Sequence, residues 1–86
     1  MQVEIDKGYD LTGVHGAEVF RDLPEGLKLE LEDGSIGEII ANAHDGAIVV
    51  LKILEAPDDA SRVGTEETTF YTEVRGVVSS AAERQQ

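Results

Sequence analysis

The sequence contains no cysteine and no tryptophan, and only two prolines, among its 86 residues. Without cysteine the chain can form no disulfide, no thiolate-bound zinc or iron–sulfur cluster, and no cysteine nucleophile. The longest uninterrupted apolar run, Ala47 to Leu51, is too short to span a bilayer. The first residues also lack the basic and apolar pattern of a signal segment. We therefore expect a cytoplasmic protein with no membrane contact, no metal and no cofactor.

Basic residues are also scarce, since 18 aspartates and glutamates face seven lysines and arginines and give a net charge of −11. Phosphate backbones and anionic lipids repel such a chain, so neither nucleic acid nor a membrane surface is expected as a direct partner. The charge is compatible with solubility or with a salt-adapted source. It is equally compatible with attraction to a basic protein surface or with imitation of a nucleic acid, and composition does not separate these alternatives.

The clearest pattern is a strict alternation of apolar and charged residues between positions 27 and 32. Its period of two places three leucines on one face of a strand: Leu27, Leu29 and Leu31. The pair Asp33-Gly34 follows directly and predicts a hairpin turn into a second strand over Ile36–Ala43. In that strand the alternation slips at Glu38, next to Gly37, which indicates a bulge. A second turn over Asn42–Gly46 then leads into a central strand over Ala47–Leu54.

The remaining segments give shorter or less regular strand signals. We predict a short edge strand over Met1–Asp6, another short strand over Ala17–Phe20, and a longer strand over Thr68–Val78. Phe70 and Tyr71 are adjacent, so in a continuous strand they face opposite sides. Phe70 is in phase with Val74, which predicts that its ring points into the core while Tyr71 lies on the polar face.

These elements predict one mainly β domain over residues 1–78, followed by a flexible polar tail over 79–86. Five or six short strands with tight hairpins favour a small antiparallel barrel or a strongly curved sheet. Over roughly Val19–Val78 the strand spacing and turns resemble the SH3-like small barrels, with an OB-like barrel as the alternative. This resemblance rests on no diagnostic motif and implies no functional residue, because a fold does not fix a function.

Candidate chemistry is sparse. His15 and His44 could bind a metal together with Asp10 or Asp45, but their spacing matches no known motif, which favours ordinary exposed histidines. The loop over Glu55–Glu67 carries several carboxylates without the ligand order of a calcium loop, so a solvated acidic loop is favoured. No glycine-rich phosphate loop and no strained serine turn is present, and an enzyme is therefore disfavoured.

The function that these observations favour is a noncatalytic protein-binding or accessory module. Its acidic face and the 55–67 loop would contact a basic surface of a partner protein or of another copy of the chain. Five residues are the candidates for this contact: Asp58, Asp59, Arg62, Glu66 and Tyr71. Two alternatives remain open, an acidic inhibitor that mimics nucleic acid and a structural subunit that assembles through exposed strand edges.

Overall fold

In the computed structural model, which describes residues 4–79, the protein is built on one five-stranded antiparallel sheet. The strands follow the order β4-β3-β2-β1-β5. Their bounds are β1 Lys28–Leu31, β2 Ile36–Asn42, β3 Ile48–Glu55, β4 Glu66–Phe70 and β5 Val74–Val77. One helix, α1 over Gly16–Arg21, precedes the sheet, and two 3₁₀ turns, Ala60–Arg62 and Tyr71–Glu73, flank β4.

The sheet confirms the mainly β class and the antiparallel arrangement, but it is neither closed nor strongly curled. The strand order leaves β4 at one edge and β5 at the other. Closure into a barrel needs pairing between the two edge strands. The structure therefore shows an open sheet and does not show the SH3-like or OB-like barrel that turn spacing suggested.

Both predicted hairpin turns are confirmed. Asp33-Gly34 joins β1 to β2, with Gly34 at φ +87° and an Asp33 carboxylate oxygen accepting the amide of Ser35 at 2.8 Å. The second turn joins β2 to β3, and within it Gly46 lies at φ +77°. Glycine adopts this left-handed conformation without steric cost, which is why these two positions carry it.

The predicted irregularity in β2 is present on both sides of Glu38. The register with β3 shifts between Ile36 and Gly37, and again between Ile39 and Ala41. A Cβ at Gly37 would lie 2.8 Å from the Cβ of Leu51, so glycine allows β2 and β3 to approach closely. Glu38 itself stays in register between its neighbours on β1 and β3.

The predicted strand over Ala17–Phe20 is wrong, because these residues belong to helix α1. Gly16, Phe20 and Leu23 are buried at spacings of four and three, which is the period of a helix face. A window of four residues is too short to distinguish that period from a strand. The side chain of Asn42 donates to the carbonyls of the last helical turn and its exit, which fastens α1 to the β2–β3 hairpin.

The predicted strand over Thr68–Val78 is interrupted, and this reverses the assignment of Phe70 and Tyr71. The 3₁₀ turn at 71–73 separates β4 from β5, which lie at opposite edges of the sheet. The turn resets the alternation, so Val74 is buried while Phe70 is 55% exposed. Tyr71 is half-buried, and its ring packs against Phe20 with centroids 5.2 Å apart.

The core lies between one face of the sheet and α1. It is formed by apolar side chains of β1, β2, β3 and β5 together with those of α1 and neighbouring loops, the fully buried ones being Phe20, Leu23, Leu29, Ile39, Val49, Leu51, Ile53 and Val77. The N-terminal segment covers the free side of β5 through a bridge between Ile5 and Val78. The rest of the predicted first strand, 1–3, and the predicted tail beyond Ser79 lie outside the described residues.

Candidate functional site

The five predicted contact residues divide into two groups in the structure. Asp58, Asp59 and Glu66 are exposed, in the loop between β3 and β4 or at the start of β4. Arg62 and Tyr71 are partly buried and occupied by contacts within the fold. The Tyr71 hydroxyl donates to the backbone carbonyl of Leu11, in addition to the packing of its ring against the tilted ring of Phe20. The three acids thus lie at the surface, with the Asp59 carboxylate accepting the amide and the hydroxyl of Ser61, whereas Arg62 and Tyr71 make their contacts within the fold.

Arg62 is the centre of a hydrogen-bonded cluster that ties the 55–67 loop to the first hairpin. Its guanidinium donates to both carboxylate oxygens of Glu67, at 2.8 Å each. A third nitrogen, Nη1, donates to Asp33 at 3.0 Å and to the hydroxyl of the buried Ser35 at 3.1 Å. Planar guanidinium suits such forked contacts better than an ammonium group would. The loop is therefore held against β4 and the β1–β2 turn by one side chain.

The same cluster lowers the pKa values of its two carboxyl groups. For Glu67 the main cause is the hydrogen bonds from Arg62, which keep the pKa below its ordinary value. For Asp33 the hydrogen bonds from the Ser35 hydroxyl and amide come first, with Arg62 adding to the lowering of the pKa. Hydrogen bonds and nearby positive charge favour the ionised form of a carboxyl group. Both groups therefore stay charged in the folded protein at neutral pH.

Removing the guanidinium of Arg62 should lower the free energy of unfolding most at neutral pH. Arg62→Met should reduce the free energy of unfolding by about 1 to 2 kcal/mol, because the cluster is partly exposed and its ion pairs are partly screened. A lowered folded-state pKa gives stability that is present above the unfolded pKa, about 4, and lost as pH falls through the folded value. Urea denaturation at pH 7 and in steps down to pH 2 should therefore show a shallower acid loss for the variant.

The control for this prediction is the exposed ion pair between Arg21 and Asp22. Arg21→Met removes a guanidinium of the same type that lowers the pKa of one carboxyl group, Asp22, but because this pair is exposed the acid dependence should change less than in Arg62→Met. An acid dependence equally shallow in both variants would show that net charge, and not the Arg62 cluster, causes it.

A row of alternating charges crosses the outer face of the sheet, opposite the core. The register places Lys28 of β1 beside Glu38 of β2, Glu38 beside Lys52 of β3, and Lys52 beside Glu66 of β4. Side chains directly opposite on neighbouring antiparallel strands share a face and interact. The row thus ends at the β4 edge on an exposed carboxylate that has a neighbouring strand on one side only.

Strand β4 leaves one side of its backbone unpaired within residues 4–79. The amide of Tyr71, just after the strand, donates to the carbonyl of Ala47 and so points toward β3. Alternate residues of an antiparallel strand direct their backbone groups to the same neighbour. The backbone groups of Glu66, Thr68 and Phe70 therefore point away from β3, toward solvent.

The outward amide of Phe70 is already used, since it donates to the carboxylate of Glu73 at 2.9 Å. This bond independently shows the direction in which that part of the strand faces. The amides of Glu66 and Thr68 remain at the open edge. Beside them the ring of Phe70, 55% exposed, lies opposite Ile48 on the outer face. The edge thus combines hydrogen-bonding groups with an apolar side chain.

An open depression of about 250 Å³ borders β4 on the other face of the sheet. Its charged lining consists of four carboxylates and one guanidinium: Glu32, Asp33, Glu67, Glu73 and Arg62. Three threonines also border it: Thr68, Thr69 and Thr72. The depression is therefore acidic, and it lies next to the unpaired backbone of β4.

Sequence reasoning found the acidic loop but missed both the edge and Phe70. The two-residue alternation that groups Phe70 with Val74 predicts a buried ring, but it assumes one continuous strand. The turn at 71–73 interrupts that strand and changes the face on which Phe70 lies. The free edge leaves no signal in a single sequence, since it depends on which strands pair.

The two histidines lie at opposite ends of α1. His15 precedes the helix and its Nδ1 lies 2.9 Å from a Glu18 carboxylate oxygen, while the Nδ1 of His44 lies 2.8 Å from the carbonyl oxygen of Arg21. Within residues 4–79 no group of three or more histidine or acidic side chains is placed to hold a metal ion. Over the same described residues, no helix has both the length and the apolar character needed to cross a membrane.

Comparison with known proteins adds no relationship, because no family model, no curated protein and no solved structure matches this chain.

Proposed function

We propose that the protein is a noncatalytic protein-binding module whose acidic surface contacts a basic surface of a partner protein. The surface consists of the 55–67 loop and the β4 edge, and is called the acidic edge below. The observation that carries the proposal is Phe70, a large apolar side chain that is 55% exposed beside unpaired backbone and exposed carboxylates. Aromatic anchors surrounded by a polar rim are typical of protein interfaces.

The net charge of −11 supports a basic partner, because opposite charge accelerates encounter and disfavours wrong partners. Arg62 contributes by holding the loop in place, since its guanidinium contacts both β4 and the first hairpin. A loop fixed in this way loses less conformational freedom on binding than a free one. Asp58, Asp59 and Glu66 would then supply the charge and Phe70 the apolar contact.

The row of alternating charges weakens the alternative of a nucleic-acid mimic. Such a mimic presents carboxylates in a continuous stripe, whereas here Lys28 and Lys52 alternate with acids across the outer face. Self-assembly remains the second candidate function, and the open side of β4 is the observation that favours it. Light scattering over a concentration series tests it, and a monomer at high concentration would remove it.

The proposal predicts that charge reversal on the acidic edge abolishes partner binding. The immobilised double variant Asp58→Lys with Glu66→Lys should fail to retain proteins that the unchanged chain retains at low salt. These proteins should also be released as salt rises, because screening weakens attraction between exposed charges. The retained proteins can be identified by mass spectrometry and each tested again in purified form.

The matched control is Glu4→Lys with Glu25→Lys, which changes the net charge equally at exposed positions outside the acidic edge. This control should still bind. Retention of the same proteins by the variant of the acidic edge, or binding that does not weaken with salt, would refute the proposed contact.

A further inference from the structure

The unpaired side of β4 has the features of a site for strand addition. Two backbone amides, those of Glu66 and Thr68, and the carbonyls beside them point away from β3 with no strand next to them in residues 4–79. The opposite edge of the sheet differs, because Ile5 bridges Val78 and the amide of Asp6 donates to Val77. Strand addition uses such open backbone groups for affinity and nearby side-chain pockets for specificity.

The two faces of the β4 edge differ in chemistry. On the outer face, Phe70 offers an apolar contact and Glu66 ends the row of alternating charges. On the inner face lies the acidic depression, in which four carboxylates outnumber a single guanidinium. Successive residues of an added strand point to opposite faces. One strand could therefore place an apolar side chain beside Phe70 and a basic side chain in the depression.

A second copy of this chain fits the edge poorly. Pairing two β4 strands would bring two acidic depressions together, each with an excess of negative charge, in molecules of net charge −11. The like charges of the two depressions would repel each other, and β4 contains no basic residue to offset them. Charge complementarity thus favours a different protein with a basic segment.

We propose that β4 accepts an extended basic segment of a partner protein as a sixth strand, with a lysine or arginine side chain in the acidic depression. This inference rests on the proposed function and names the kind of segment that the acidic edge binds. Glu32 is the exposed carboxylate best placed to attract the basic group, because the other three already make contacts: Asp33 and Glu67 bind Arg62, and Glu73 accepts the Phe70 amide.

The probe for this proposal is a synthetic peptide of about nine residues, the length of a long strand. It alternates threonine and valine and carries one central lysine. Two control peptides differ by a single feature: one has glutamate in place of lysine, and the other is N-methylated at alternate amides on its pairing side. Binding is followed by fluorescence anisotropy, and hydrogen exchange is measured at the amides of β4.

We expect the lysine peptide to bind and to protect the Thr68 amide from exchange. The glutamate peptide and the N-methylated peptide should each bind at least about tenfold more weakly. The glutamate peptide loses the ion pair, and the N-methylated peptide loses backbone hydrogen bonds. In the protein, Glu32→Lys should weaken binding of the lysine peptide by a similar factor. Glu25→Lys, which changes the charge equally but lies outside the depression, should leave that binding unchanged. Thr68→Pro removes the edge amide and should also weaken binding, with Thr68→Ala as its control.

Unchanged affinity for the N-methylated peptide would overturn strand addition, and this test does not depend on a variant of the protein folding. Equal affinity for the lysine and glutamate peptides would overturn the basic partner segment. Concentration-dependent dimers that protect the Thr68 amide without peptide would favour a second copy as the occupant. If partner proteins bind the acidic edge in the capture experiment but no peptide binds β4, strand addition fails while the proposed function stands.

Discussion

Phe20→Ala should remove most of the stability of the protein, whereas Phe70→Ala should change it little. These are the only two phenylalanines in the chain, and the structure assigns them opposite environments. Phe20 is 0% exposed in the core against Tyr71, while Phe70 is 55% exposed at the β4 edge. A buried phenylalanine truncated to alanine costs about 3 to 5 kcal/mol, which is comparable to the total stability of a domain of this size.

Urea denaturation followed by circular dichroism measures both effects. For Phe70→Ala we expect a loss below about 1 kcal/mol, since most of its ring already contacts water. The alternation in the sequence instead predicts a large loss for Phe70→Ala, because it places Phe70 in the core. A larger loss for Phe70→Ala than for Phe20→Ala would therefore contradict the arrangement of β4 and the turn at 71–73.

Gly16→Ala should destabilise the protein by about 1 to 3 kcal/mol although alanine is the better helix former. Gly16 is the first residue of α1, and helix propensity alone predicts a gain of up to about 1 kcal/mol. The structure instead predicts a loss of stability, because a Cβ at this position would overlap the Tyr71 hydroxyl and the Leu11 carbonyl. These are the two groups that the hydroxyl hydrogen bond joins, so the substitution also breaks that bond.

Two further variants separate packing from helix propensity. Ala17→Gly makes the reverse change at the next, exposed position and should cost no more than about 1 kcal/mol. Adding Tyr71→Phe to Gly16→Ala should recover part of the loss, since it removes the hydroxyl from the overlap. Stabilisation by Gly16→Ala in thermal or urea unfolding would show that α1 does not pack against Tyr71 in this way.

The proposed contact surface, the acidic edge, depends on which strand the pairing of the sheet leaves open on one side. Its charged residues are visible in the sequence, but their roles divide only in the structure. Arg62 is bound to Glu67 and Asp33, and Tyr71 to Leu11, so these two side chains shape the surface from within. The groups proposed to meet a partner are the exposed acids, the open backbone of β4 and Phe70. The sequence pattern named the exposed acids Asp58, Asp59 and Glu66, but it indicated neither the exposure of Phe70 nor the open side of β4.

Local chemistry was sufficient for the strands and turns between Lys28 and Glu55. The leucine alternation, Asp33-Gly34 and the turn before Ile48 all depend on side chains within a few residues of each other. The slip at Glu38 was likewise visible, because a change of phase is a local property. These features fixed the mainly β class and the antiparallel hairpins without reference to the rest of the chain.

Three features depend on tertiary contacts alone: helix α1, the orientation of Phe70 and the open edge of the sheet. Whether Ala17–Phe20 forms a helix depends on burial of Phe20 against Tyr71, and the orientation of Phe70 depends on a turn that interrupts its strand. The open sheet and its unpaired β4 edge depend on contacts between residues far apart in the chain. Periodicity reports which side chains share a face over a few residues, but it carries no information about which strands become neighbours, and that choice determines the surface available to a partner.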